Sequence, residues 1–262
     1  MIRVLLLAAL LPIAARAETL RLASTTSFEN SGLAEVLLPA IERDTGIEVQ
    51  LVVVGTGQAL ELGEAGDVDA VLVHAKAAEE AFVAAGHATH RREIMYNDYV
   101  VVGPEDDPVG IAGASDAAAA LTRIAEAEAP FVSRGDDSGT HQAELALWEA
   151  AGIVPDGAWY RPVGAGMGAA LNTAVGMGAY VLSDRASWLN FDNQEGMAIA
   201  FEGDPAMFNQ YAYLPVNPEA HPSVKGDLAL RLEEWLVSEE AKTLIDSYRI
   251  MGEQVFTFNA DG

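Results

Sequence analysis

The stretch that decides the fold is TLRLASTTSFENSGLAEVLLPAIERDTGIEVQLVVVG, residues 19–55. It opens with a strand pattern at 19–25 and continues with an amphipathic helix pattern at 31–46, which ends in glycine. A nearly continuous apolar strand follows at 47–55. This alternation is typical of a mostly parallel sheet that is flanked by helices.

The same alternation continues along the rest of the chain. Helices are predicted at 58–63, 76–85, 115–128, 139–151, 168–175 and 227–248, and strands at 68–75, 97–104, 130–133, 179–183 and 211–217. Two such α/β blocks without a flexible linker predict two lobes that are joined by more than one crossing. In such folds ligands bind beyond the carboxyl ends of the strands, so the cleft between the lobes is the expected site.

The predicted division places the crossings in the strands near 97–104 and 211–217. The first lobe then comprises residues 18–100 and 214–262, and the second lobe comprises residues 101–213. At 262 residues the chain is long enough for two lobes with cores of their own.

Residues 1–17 have the pattern of a cleavable secretory signal. Arg3 precedes a short apolar run, and Ala15 and Ala17, on either side of Arg16, provide small residues before a cleavage point at Glu18. The alternative, a membrane anchor, is disfavoured because the run is shorter than the roughly 20 apolar residues that span a bilayer. The chain contains no cysteine, so disulfides and a lipid-modified cysteine are excluded. These features predict a protein of the bacterial periplasm.

The chain is strongly acidic, with a formal net charge of −24 that becomes −26 if Arg3 and Arg16 are removed with the signal. Nucleic acid and anionic membrane surfaces are therefore poor candidates as partners. If the ligand is itself an anion, the favourable field has to come from nearby backbone amides and a local cation.

Four junctions between a predicted strand and a predicted helix are rich in small polar residues. They are STTS at 24–27, GTGQ at 55–58, FVSRGDDSGTH at 131–141 and GAGMG at 164–168. Each would present unpaired amide N–H groups at the start of a helix, and the hydroxyls add further donors. Ordinary helix capping is the alternative for any one junction. Together the four predict a site of neutral donors for an oxyanion.

Arg134 is the cation that suits this site. It follows a buried strand and precedes a turn, so its guanidinium could hold two oxygens of an anion. The alternative is a structural ion pair with Asp136 or Asp137, and the two roles can coexist. A carboxylate that faces the oxygens of the anion would repel them.

Catalytic and metal sites are poorly supported. Ser138 and His141 have a spacing at which a nucleophile and a base could pair, but the residue two before Ser138 is Asp136, so the G-x-S-x-G motif of hydrolases is absent. His87 and His90 do not belong to a full set of metal ligands. Neither G-x-G-x-x-G nor the phosphate-loop motif occurs, and no cofactor is predicted.

Several motifs together resemble the periplasmic tungstate-binding components of ABC importers, a family of type II periplasmic binding proteins. They are STTS, VGTGQALELGEAGDVDAVLVHA, RREIMYNDYVVVGPEDDP, FVSRGDDSGTHQAELALW, GMGAALNTA and LSDRASW. The combination of GTGQAL with RGDDSGTH is the most specific part. The hydroxyl run begins here with Ser24, where the family often has threonine.

The resemblance implies two lobes that close over one tetrahedral oxyanion and deliver it to a membrane permease with a cytoplasmic ATPase. It implies that the ligand-binding residues are Thr25, Thr26, Ser27, Thr56, Gly57, Arg134, Ser138, Gly139, Thr140, Met167 and Gly168. We expect a monomer that binds tungsten only as the oxyanion. Receptors for molybdate, sulfate or phosphate remain alternatives, and an exported serine hydrolase remains a remote one.

Overall fold

The fold consists of alternating strands and helices. A computed structural model describes residues 18–136 and 138–260, so the predicted signal at 1–17 lies outside the described residues. The first half contains β1 (Glu18–Thr25), α1 (Thr26–Asn30), α2 (Leu33–Thr45), β2 (Ile47–Val54), α3 (Thr56–Glu64), β3 (Ala70–Val73), α4 (Lys76–Ala84), β4 (Arg92–Pro104) and α5 (Ala117–Glu126). The second half contains β5 (Phe131–Ser133), α6 (Gly139–Ala150), β6 (Tyr160–Pro162), α7 (Met167–Met177), β7 (Tyr180–Asp184), α8 (Arg185–Leu189), β8 (Met197–Phe201), β9 (Phe208–Pro215), α9 (Gly226–Leu236), α10 (Glu239–Ser247), β10 (Arg249–Ile250), β11 (Glu253–Gln254) and β12 (Thr257–Phe258).

One sheet runs through both lobes in the order β2-β1-β3-β9-β4-β7-β5-β6, and β8 and β12 also pair with β4. The first lobe contains β1, β2, β3, β9, β12 and the first part of β4, and the second contains β5 to β8 and the last part of β4. Pairing is parallel at β1/β2, β1/β3, β5/β6 and β5/β7, and antiparallel at β4 and β9. The prediction of a two-lobe α/β fold is confirmed.

The strand β4 carries the chain from one lobe into the other. It pairs with β9 as far as Asp98 and with β7 from Tyr99 onward. At this point the buried side chains of Asn97 and Asn209 face each other across the two strands, and the Asn209 amide donates to Asn97 Oδ1 at 2.7 Å. A buried polar pair therefore fixes the register where the lobes meet.

Each lobe has its own apolar core. In the first lobe α2, α9 and α10 pack on the sheet, and Tyr211 and Phe256 are almost fully buried there. In the second lobe Trp148 of α6 packs edge-on against Phe131 with ring centroids 5.2 Å apart. These cores hold the strand ends in place, and the loops that follow those ends form the cleft.

The prediction of one helix at 227–248 was wrong, because the segment forms α9 and α10 with a break at Val237 and Ser238. The Ser238 hydroxyl accepts a hydrogen bond from the Ala241 N–H at 3.3 Å and so begins a new helix. The short helix α1 was not predicted. In residues 18–136 and 138–260, no helix combines the length and the apolar character that crossing a membrane requires.

Candidate functional site

A cavity of about 440 Å³ lies between the two lobes. It is formed by the loops that follow β1, β2, β3 and β5, together with the loop before α7. Its lining residues are Thr25, Thr26, Ser27, Gly55, Thr56, Gly57, Gln58, His74, Arg134, Asp136, Ser138, Gly139 and Gly166. The parallel register aligns the carboxyl ends of β1 and β2, with Thr25 opposite Val54, so their loops meet at one edge.

Three helices of nine or more residues begin at this cavity. Gly55 and Gly166 occupy the N-cap positions of α3 and α7, and neither supplies a side-chain cap. Ser138 caps α6, where its hydroxyl accepts from the His141 backbone N–H at 3.3 Å. The first N–H groups of a helix lack intrahelical partners and carry partial positive charge. The cavity wall is therefore suited to an anion.

The hydroxyl of Thr56 provides a further donor at the start of α3. Thr56 is 3 % exposed, and its Oγ1 has no hydrogen-bond partner among the described residues. Burial of an unpaired hydroxyl costs about 1–3 kcal/mol, and an anion bound in the cavity would supply the missing acceptor. Thr25 differs, because its hydroxyl caps α1 by accepting from the Phe28 N–H at 3.3 Å.

Arg134 is buried at the floor of the cavity and is paired with Asp136. Its Nη2 and Nε donate to Asp136 Oδ2 at 2.5 and 3.1 Å, and the Ser138 N–H donates to Oδ1 at 3.2 Å. The predicted ion pair with Asp136 is thus present, whereas Asp137 lies outside the described residues. Burial raises the pKa of Asp136, but the Ser138 and Arg134 hydrogen bonds outweigh it and hold that pKa below its usual value. The carboxylate stays ionised and orients the guanidinium.

The turn after Arg134 requires glycine. Gly135 has a φ of +58°, and a Cβ at this position would lie 2.8 Å from Cβ of Pro162. The N–H groups of Val163 and Ala165 donate to the carbonyls of Ser133 and Arg134. The loop before α7 is therefore fastened beside Arg134, which brings two of the four predicted junctions together.

The structure brings most of the predicted site residues to the cavity, namely Thr25, Thr26, Ser27, Thr56, Gly57, Arg134, Ser138 and Gly139. Three others do not line it. Thr140 is 1 % exposed and lies beside Tyr99, and Met167 packs in the core of the second lobe. Gly168 follows Met167 in α7 and is exposed.

Sequence reasoning missed His74, which immediately follows β3 and lines the same cavity. Burial, and secondarily the nearby charge of Arg134, lower its pKa to about 4, although a hydrogen bond with Asn209 acts in the opposite direction. The imidazole is therefore neutral at physiological pH. Its place at the carboxyl end of a buried parallel strand was the signal that could have identified it.

The fold and the cavity define a class of two-lobe binding proteins. A family model described as a PBP superfamily domain matches residues 12–240, and the chain belongs to this superfamily. Such proteins bind solutes rather than transform them. The hydroxyl of Ser138 serves as a helix cap, and no cluster of potential metal ligands occurs in the described ranges.

Within this class the chain belongs to the same family as proteins named tungstate-binding protein TupA. The one from Peptoclostridium acidaminophilum is 47% identical over 91% of this chain and 85% of its own length. The one from Campylobacter jejuni is 31% identical over 89% and 88%. The solved tungstate-binding protein TupA of Desulfovibrio alaskensis has a TM-score of 0.85 at 45% identity and covers 94% of this chain and 100% of its own.

Proposed function

We propose that this protein is the extracytoplasmic substrate-binding component of an ABC importer that captures tungstate. The observation that carries the proposal is the convergence of three helix N-termini, the unpaired Thr56 hydroxyl and buried Arg134 on one cavity. The relatives named for tungstate binding support the choice of ligand.

The chemistry of the cavity matches a tetrahedral dianion, whose oxygens only accept hydrogen bonds. Amide N–H groups of α3, α6 and α7, the hydroxyls of Thr26, Ser27 and Thr56, and Arg134 would donate to these oxygens. The anion would compete with Asp136 for the donors of Arg134 and Ser138. The attraction between these donors and the anion outweighs the repulsion from the acidic surface, because interactions in the buried site are screened less by water and salt.

We propose that each lobe supplies part of this donor set, so that the closed form is favoured when the anion is bound. Thr56 belongs to the first lobe, and Arg134 and Ser138 belong to the second. The division predicted from the sequence is residues 18–100 and 214–262 against 101–213. Because β9 pairs with β3 and with the first part of β4, we propose that the second crossing lies near residue 207, so that β9 belongs to the first lobe.

We propose that residues 1–17 direct export to the periplasm and are then removed. A membrane permease with a cytoplasmic ATPase would recognise the closed, anion-bound form. The name of a solved relative, the tungstate ABC transporter from Geobacter sulfurreducens, supports this partnership. A monomer suffices for this role, because both halves of the cavity come from one chain.

Titration calorimetry of residues 18–262 against tungstate, molybdate, sulfate and phosphate is expected to show tight binding of one tungstate per chain and much weaker binding of sulfate. Molybdate has the same charge and shape, so it is expected to compete with tungstate. The four anions should be measured in one buffer. If none of the four produced heat of binding, the proposed function would be wrong.

The Thr56→Val variant is expected to weaken tungstate binding by about 10- to 150-fold, because a hydrogen bond to a charged group contributes about 1.5–3 kcal/mol. Its unfolding free energy without ligand should stay the same or rise, since a buried unpaired hydroxyl is removed. Calorimetry and urea unfolding measure the two effects. Thr122→Val, in α5, is the matched control and should bind normally. Equal tungstate affinity of Thr56→Val and wild type would exclude Thr56 as a ligand.

A further inference from the structure

The imidazole of His74 is held in one position by buried side chains at the crossing between the lobes. The ring packs against Tyr211 with centroids 4.7 Å apart, and its Nδ1 lies 3.4 Å from the hydroxyl of Tyr99. The Tyr99 hydroxyl in turn donates a hydrogen bond to Asn209 Oδ1 at 3.2 Å, and the Asn209 amide donates one to Asn97 Oδ1. All of these side chains are buried. The ring is thus anchored to β4 and β9, where the chain crosses between the lobes.

The ring also touches the first residue of α6, in the second lobe. A Cβ built on Gly139 would lie 2.5 Å from Cε1 of His74 and 2.9 Å from Nδ1. Only glycine therefore permits this approach. His74 and Gly139 both line the anion cavity, and both also line an adjoining cavity of about 360 Å³.

This contact depends on shape rather than on charge. With a pKa of about 4, caused first by burial, the His74 ring is uncharged above pH 5. It attracts neither the anion nor the start of α6 as a cation would. The contact is therefore one of van der Waals packing between a fixed, neutral ring and the start of α6.

We propose that His74 is a specificity-determining residue that stops closure at a separation suited to a large tetrahedral oxyanion. Donors from both lobes must reach the same anion, so their separation selects its size. A smaller anion such as sulfate would leave donors of one lobe out of reach, and an unmade hydrogen bond in a buried site is costly. This inference rests on the proposed function.

The test uses a pair of substitutions at the contact. Gly139→Ala is expected to weaken tungstate binding by about 5- to 150-fold, because overpacking is relieved only by moving the lobes apart. Adding His74→Ala to Gly139→Ala makes room for the methyl group and is expected to recover most of that loss of affinity. Gly176→Ala, in α7 with open space around the added Cβ, is the matched control.

The His74→Ala variant alone gives a second readout. Without the ring the lobes can approach further, so the ratio of tungstate to sulfate affinity is expected to fall by about tenfold or more. If His74 had only a structural role, its removal would weaken the binding of tungstate and of sulfate equally. Circular dichroism and thermal unfolding check that each variant is folded.

The outcomes separate this inference from the proposed function. If wild type binds no oxyanion, the proposed function fails. If wild type binds tungstate but Gly139→Ala binds it equally well, the contact between His74 and Gly139 does not limit closure of the lobes. If the double variant binds no better than Gly139→Ala, the methyl group blocks the anion directly and the role of His74 is wrong. If Gly139→Ala does not fold, an unchanged selectivity ratio in His74→Ala alone overturns the inference.

Discussion

The Arg134→Ala variant is expected to bind tungstate about 150- to 5000-fold more weakly than wild type, because removing one partner of a buried charge pair costs about 3–5 kcal/mol. Arg134 is 5 % exposed and is the only lysine or arginine among the described residues that line the cavity. Without it the carboxylate of Asp136 remains at the site and repels the dianion. Titration calorimetry measures the loss directly.

Two further variants of the same chain sharpen this experiment. Arg134→Lys keeps the charge but lacks the planar fork that bonds Asp136 through Nε and Nη2, so an intermediate affinity is expected. Arg161→Ala removes an exposed arginine from the second lobe and should bind as wild type does. An unchanged affinity in Arg134→Ala would remove Arg134 from the site.

The second large effect concerns Glu144, which is buried in α6 at 2 % exposure. Burial raises its pKa to about 7, although the Tyr160 hydroxyl, which donates to Oε1 at 2.7 Å, acts in the opposite direction. Between about pH 4.5 and 7 the folded protein therefore holds a proton that the unfolded chain releases. The stabilising contribution is complete below pH 4.5 and is lost as the pH rises to 7, a difference of about 3 kcal/mol.

Urea unfolding of wild type and Glu144→Gln at pH 5 and pH 8 tests this coupling. Wild type is expected to lose about 2.5 kcal/mol more unfolding free energy than Glu144→Gln between the two pH values, because the glutamine cannot ionise. Glu149→Gln, an exposed position in the same helix, controls for general charge effects and should follow wild type. If wild type and Glu144→Gln lose the same amount, the buried carboxyl does not titrate in this range.

Much of the fold could be predicted because its strands are short, apolar and separated by amphipathic helices. The helix at 139–151 was predicted to within one residue of the observed Gly139–Ala150. The break between α9 and α10 was missed because the apolar periodicity continues across it. Only the local hydrogen bond of the Ser238 hydroxyl interrupts the helix, and serine is also tolerated within helices.

The site was predictable where its residues begin helices in glycine-rich or hydroxyl-rich loops. His74 has no such local signal and enters the cavity only because β3 lies beside β1 in the sheet. Thr140 shows the opposite case: its sequence neighbours Ser138 and Gly139 line the cavity, but its side chain lies on the buried side of α6 next to Tyr99. Such distinctions depend on tertiary packing, which a local motif does not contain.

The two crossings also set the order in which the lobes can be completed as the chain becomes available for folding. The core of the first lobe draws on both ends of the chain, with Leu20 near one end and Phe256 near the other, whereas the main core of the second lobe lies within the continuous segment 99–207. Because domains fold as their residues become available, the lobe that is synthesised first is completed last. The early strands β3 and β4 therefore stay unpaired with β9 and β12 until nearly the whole chain is available.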